Sequence, residues 1–209
     1  MSLAGGKLLH EVAMRTLARY LEQAGAGDVR PRLDDCSLGE GVDLAYSTGG
    51  VRIQAKVKAD PYYGTDAALI ADRRLAFYRA DTRSYALEAL SDTTTRSPGW
   101  MQRSDADELL YYRVAIAQPE SEVAALLYGP DEVFFSELAV ERDELRIVPM
   151  GQLRAWFAGA YHRYMPRPVI ATGQPAWYRI VPADDLDRAI TGVRVVGSVY
   201  GLLGGVPRP

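Results

Sequence analysis

The residues with the clearest chemical potential lie in two short runs. One is Gly41-Val42-Asp43-Leu44-Ala45-Tyr46, and the other, after a brief turn, is Val51-Arg52-Ile53-Gln54-Ala55-Lys56. As adjacent antiparallel strands, they would bring Asp43 close to Gln54 and Lys56. A carboxylate and an amide oxygen suit a hard divalent cation such as magnesium or manganese, with water completing the shell. The backbone carbonyl of Ala55 is a further candidate ligand. A cation of that kind lowers the pKa of a bound water and stabilises charge on a phosphoryl oxygen. A lysine beside it can hold the water or the phosphate. Asp43, Gln54 and Lys56 therefore form a candidate catalytic set for phosphodiester hydrolysis.

The elements that must position this set can be read from residue periodicity. Residues 42–47 and 51–59 are predicted strands, joined at Thr48-Gly49-Gly50, a tight-turn signal. Along the second strand Val51, Ile53, Ala55 and Val57 point one way, and Arg52, Gln54, Lys56 and Lys58 the other. Before them, residues 7–23 form an amphipathic helix with Leu9, Val12, Ala13, Thr16, Leu17 and Tyr20 recurring at three- and four-residue spacing. After them, residues 61–64 read as a turn and residues 67–77 as helical or irregular. Strands are expected at 85–90, 108–117, 133–140, 144–148 and 177–181. Helices are expected from 150 to about 164, halted by Pro166 and Pro168, and at 183–190. The tail from Gly197 is rich in glycine and proline and is expected to fray. This order predicts an α/β (α+β) domain with a central mixed sheet flanked by helices.

The pattern of Asp43 followed by Gln54-Ala55-Lys56 resembles the PD-(D/E)xK nuclease superfamily, in its Gln-x-Lys variant similar to Mrr-type and phage members. The resemblance spans residues 7 to 116. Leu87-Glu88-Ala89, Ser97-Pro98-Gly99-Trp100 and Asp105-Ala106-Asp107 resemble later segments of phage and bacterial members. It implies a restriction-endonuclease-like core over residues 1–120. Residues 121–209 would then complete the sheet or form a small subdomain. It also implies a magnesium- or manganese-dependent deoxyribonuclease of repair, restriction or phage context, with DNA as partner. Many members add a glutamate from the first helix to the metal, and Glu11 is the candidate by position, although its helical angle sets it opposite the apolar stripe. Gln54 stands where most members have an acid, which removes one negative charge from the site. One alternative is the same fold used as a non-catalytic module that binds DNA or a protein, and another is an unrelated α/β protein in which Asp43 and Lys56 form a structural ion pair.

Other residues are weighed beside this set. Glu88 faces either the same site or solvent. Trp100 either stacks on a base or plugs the edge of a core, and Lys58, Arg52 and Arg103 are candidate DNA contacts. His10 and His162 read as helix-surface residues.

Bulk properties limit the alternatives. The chain carries 24 basic and 27 acidic residues, a net charge of -3, which argues against non-specific coating of nucleic acid. Residues 51–103 nevertheless hold nine basic and six acidic residues, the sign expected of a phosphate-facing side. Cys36 is the only cysteine, so no disulfide within the chain and no cysteine zinc cluster can form. No apolar run approaches the ~18 residues of a membrane span. Residues 1–6 show no apolar signal core. A cytoplasmic setting follows as the expectation, and self-association is left open.

Overall fold

The computed structural model describes residues 3–32, 38–62, 84–171 and 174–204. The expected turn at 63–64, the 67–77 segment and Cys36 lie outside the described residues.

A long helix, α1 (Leu3–Gln23), opens the chain and precedes β1 (Gly27–Pro31), β2 (Leu44–Thr48) and β3 (Val51–Pro61). Then come β4 (Ser84–Asp92), β5 (Ser97–Pro98), α2 (Trp100–Arg103) and β6 (Glu108–Ile116). The C-terminal part contributes α3 (Glu120–Leu127), α4 (Asp131–Glu137), β7 (Val140–Pro149) and α5 (Met150–Ala160). A 3-10 turn (Tyr161–Arg163), β8 (Pro166–Ala171), β9 (Gln174–Pro182), α6 (Ala183–Ala189), β10 (Arg194–Val196) and α7 (Val199–Leu202) follow.

The strands form two sheets. Six are ordered β1-β2-β3-β6-β7-β10, and four are ordered β5-β4-β9-β8. Among the described strands only the β3–β6 pairing is parallel. The expected α+β class with a mixed sheet flanked by helices is therefore the observed one, with a second sheet added. Residues beyond 120 complete both: β7 and β10 extend the first, and β8 and β9 pair with β4 in the second.

β6 shows why the first sheet sits at the centre. Leu110, Tyr112 and Val114 enter a core with Val12, Ala13 and Leu17 of α1, and with Phe134 of α4. Leu109 and Tyr111 enter a second core with Tyr85 and Leu87 of β4, Val181 of β9, and Leu153 and Phe157 of α5. Both faces are covered, so the strand is a nearly continuous apolar run. The same alternation sorts β3. Ala55, Val57 and Ala59 belong to the first core, so Gln54, Lys56, Lys58 and Asp60 project from the opposite face, the one that carries the second core.

Three segments depart from the sequence expectation. The tail expected to fray from Gly197 instead forms α7 and places Val199 and Tyr200 in the first core, where burial of both side chains holds it. Residues 133–140, expected as a strand, divide into α4 and the start of β7. Pro130 precedes the helix, and Asp131 and Glu132 occupy its first turn, where acids complement the helix dipole. Arg15 of α1 then donates to the Gly129 carbonyl at 2.8 Å and lies 4.5 Å over the Phe134 ring, which fixes the helix on the core. Residues 120–127, given no element from sequence, form a helix with acids at Glu120 and Glu122 in its first turn. In these two helices tertiary packing of a single apolar side chain, Phe134 or Val123, outweighs weak local alternation.

The β4–β5 turn is held by a close backbone approach. A Cβ on Gly99 would lie 2.3 Å from the Glu88 carbonyl oxygen. Gly99→Ala is expected to push β5 and α2 off β4 and to cost about 1–3 kcal/mol. Urea unfolding measures this, and an unchanged midpoint would show that the approach tolerates a methyl group.

Candidate functional site

β2 and β3 are joined at Gly49 and Gly50, whose φ values of 56° and 78° match the tight hairpin that needs left-handed backbone at both positions. The resulting register pairs Leu44 with Ala55 and Ala45 with Gln54. Asp43 stands one residue before β2, not within it. Its backbone N–H still donates to the Ala55 carbonyl at 2.9 Å, and its carbonyl accepts from Arg32 at 2.9 Å. The Asp43 side chain then does what the missing next residue of β2 would have done. Oδ2 accepts the free ladder N–H of Val57 at 2.8 Å. The same oxygen meets Lys56 Nζ at 2.8 Å, with the two side chains only 16% and 17% exposed. Asp43 and Lys56 are thus brought together as the sequence predicts.

Gln54 and Ala55 are placed beside them. Gln54 Oε1 accepts from the Gly39 N–H at 3.0 Å, and the Gln54 N–H donates to Asp107 Oδ2 at 2.8 Å. The Ala55 carbonyl and the Gln54 amide oxygen each take one of these N–H groups and keep a second lone pair. Among the described residues, no group of three or more His, Cys, Asp or Glu side chains is arranged to hold a metal ion. Glu11 pairs with Lys7 at 3.7 Å on the open side of α1, its side chain half exposed.

Further along β3 the polar row continues across to the second sheet. Lys58 Nζ donates to Asp60 Oδ1 at 2.5 Å and lies 5.8 Å from the Tyr178 ring. Asp60 also accepts from the Tyr111 hydroxyl, which itself accepts from the Ala86 N–H at 2.8 Å. Tyr178 donates to Glu88 Oε2 at 2.7 Å, and the Trp100 N–H donates to Glu88 Oε1 at 3.1 Å. Both Glu88 oxygens are therefore engaged between β9 and α2, so of the two orientations expected from sequence the solvent-facing one is not observed.

Trp100 is corrected as a base-stacking candidate. It is 8% exposed and packs in the second core, because Gly99 draws its backbone tight against β4. Arg103 pairs with Glu40 at 2.8 Å, and Arg52 is exposed near the hairpin tip.

His10, expected at the helix surface, is half-buried. Burial lowers its pKa, the Asp43 charge acts to raise it, and Lys56 and Lys58 lower it further. The imidazole thus belongs to the electrostatic surroundings of the Asp43–Lys56 pair. The signal was present in the helix: His10 stands three residues before Ala13 and seven before Leu17, both fully buried.

The tyrosines at this junction carry a pH consequence. Burial raises the pKa of Tyr85, Tyr111, Tyr112 and Tyr178, with nearby acids adding to it at Tyr111 (Asp60), Tyr112 (Asp143) and Tyr178 (Glu88). Groups with a raised folded pKa stabilise fully below their unfolded value of 10.0, and that stabilisation is lost as pH rises beyond it. Stability should fall above pH 10 with a slope of up to about 1.4 kcal/mol per pH unit for each phenol that stays protonated in the fold. Urea midpoints across that range check it, with the share of tyrosinate absorbance that belongs to these buried rings appearing only on unfolding.

Comparison of the chain with protein-family models, curated proteins and solved structures found no match.

Proposed function

We propose that the chain hydrolyses phosphodiester bonds of DNA in a metal-dependent, nuclease-type reaction centred on Asp43, Gln54 and Lys56. One observation carries this reading. A carboxylate one residue before β2 and an ammonium on β3 are held 2.8 Å apart, with Gln54 two residues before the lysine on the same strand face. That is the arrangement the resemblance to PD-(D/E)xK nucleases implies.

The donor set fits a hard cation held weakly. Asp43 supplies one negative charge, and the oxygens of Gln54 and Ala55 supply neutral donors with water completing the shell. A bound magnesium or manganese would lower the pKa of a water and neutralise charge on the phosphate. The chain's own groups do the rest. The Val57 N–H orients the Asp43 carboxylate, and the Gly39 N–H orients the Gln54 amide. Lys56, only slightly exposed, presents its ammonium to a phosphoryl oxygen in poorly solvated surroundings, where one charge counts for more than in water. DNA as the partner and a cytoplasmic setting belong to the same proposal. None of the described helices is long and apolar enough to cross a membrane.

A second reading is favoured by the charge count. With one acid and a lysine already paired to it, the hairpin also suits a non-catalytic module that binds DNA or a protein. Two measurements separate the readings. Purified protein with manganese or magnesium is expected to cut labelled linear or branched DNA, and calorimetric titration with manganese is expected to show binding in the millimolar range. No heat of binding together with intact DNA would leave the module reading standing.

A further inference from the structure

An independent feature lies in the second sheet. From Leu145 to Ala183 the chain has five arginines and no acidic residue, although the protein as a whole carries a net charge of -3. Most described basic side chains elsewhere are matched to a carboxylate. Among the described residues, by contrast, no carboxylate lies within ion-pairing distance of Arg154, Arg163, Arg167 or Arg179. The nearby acids of α6 are engaged with other groups: Asp185 with Arg188 and the Tyr164 hydroxyl, and Asp187 with Arg146.

Aromatic surface is exposed on the same hairpin. Trp177 is 38% exposed on β9, Tyr161 is 41% exposed in the adjoining turn, and Met165 is 64% exposed between them and β8. Strand alternation puts Trp177 on the same face as Arg179, roughly 7 Å along the strand. Arg179 ties the turn to this face, with its guanidinium 5.3 Å over the Tyr161 ring and donating to the Tyr164 carbonyl at 2.8 Å. Opposite them on β8, Pro168 pairs with Trp177 and Pro166 with Arg179. The face therefore offers two accessible rings with uncompensated positive charge beside them.

We infer that this β8–β9 face binds single-stranded nucleic acid, with bases stacking on Trp177 and Tyr161 and the Arg163 guanidinium meeting the phosphates. Aromatic rings accept any base because every base has a π-face, and arginines along the path follow the backbone. The charge identifies a polyanion as the occupant, and the rings identify unpaired bases, since a closed duplex offers no base faces along its length. The inference deepens the DNA reading above, but it does not depend on cleavage.

The test is fluorescence anisotropy with labelled oligo(dT) and oligo(U) of equal length, in chelator, with blunt duplex as competitor. Wild-type protein is expected to bind a single strand in preference to duplex, and oligo(dU) run beside oligo(U) identifies the sugar. Trp177→Ala is expected to weaken binding roughly ten- to hundredfold and Trp177→Phe to retain most of it. Arg163→Glu should weaken binding and flatten its salt dependence. Binding is read in chelator, so a failure of the cleavage chemistry leaves this result untouched. Wild-type affinity in Trp177→Ala, or no single-strand binding by wild type, overturns the inference. So does a sedimentation shift from dimer to monomer in Trp177→Ala with oligomer binding unchanged, which would make the face a self-contact.

Discussion

Asp43→Asn is expected to leave the fold in place and to reduce DNA cleavage by about 100- to 1000-fold, the usual loss when one preorganised charge is removed from a reacting centre. The substitution is chosen because asparagine keeps an oxygen for the Val57 N–H, which the native carboxylate accepts at 2.8 Å. The β2–β3 register therefore survives. What disappears is the charge that would hold a cation and that faces Lys56 at 2.8 Å. Lys56→Met removes the opposite charge while keeping the aliphatic stem packed, and a comparable loss is expected. Neither variant should lower stability by more than about 1–2 kcal/mol, since one hydrogen-bonded, partly screened pair is at stake. Activity and urea midpoints measured together decide the matter. A loss of cleavage that tracks a loss of folding would make the pair structural. Wild-type cleavage by both variants would move the chemistry elsewhere.

The largest stability effect is expected at Arg113. This side chain is 1% exposed on β6, pairs with Glu144 at 3.0 Å and donates to the Ser84 carbonyl at 2.5 Å. Its guanidinium lies 5.1 Å over the Tyr85 ring and 5.0 Å over Tyr111. Glu144 is shared with Arg146, which pairs in turn with Asp187 of α6. The network thus links the first sheet to β4 of the second. Removing one partner of a buried pair costs about 3–5 kcal/mol because the other charge is stranded. Arg146 remains beside Glu144, so Arg113→Leu is expected at the lower end of that range. Replacing both, Arg113→Leu with Glu144→Leu, should recover part of the loss, because the desolvated charges go together. Denaturant unfolding of the three variants checks this. A loss below about 1 kcal/mol in Arg113→Leu would mean that the network contributes little.

What the sequence by itself determined is local. Gly49-Gly50 requires a tight hairpin, and a tight hairpin sets the register that puts Asp43 beside Lys56. Alternation along β3 and the apolar run of β6 define which side chains enter a core, because side-chain direction in a strand has period two. Helix α1 was legible from its 3.6-residue repeat, and with it the α+β class.

Only the tertiary structure decided the rest. The pairing of β4 with β9 joins residues about 90 positions apart, as in the bond from Tyr178 to Glu88. No local pattern encodes that partner, since strand pairing depends on which apolar faces remain uncovered once the first sheet has formed. That long-range closure took Oε2 of Glu88 and left Trp177 at the surface, whereas Oε1 and the burial of Trp100 follow from the nearby approach of Gly99 to β4. It also set four arginines beyond ion-pairing distance of any carboxylate among the described residues. Chemistry carried by residues on one hairpin could be read along the chain, whereas chemistry shared between sheets depends on distances that no local spacing records.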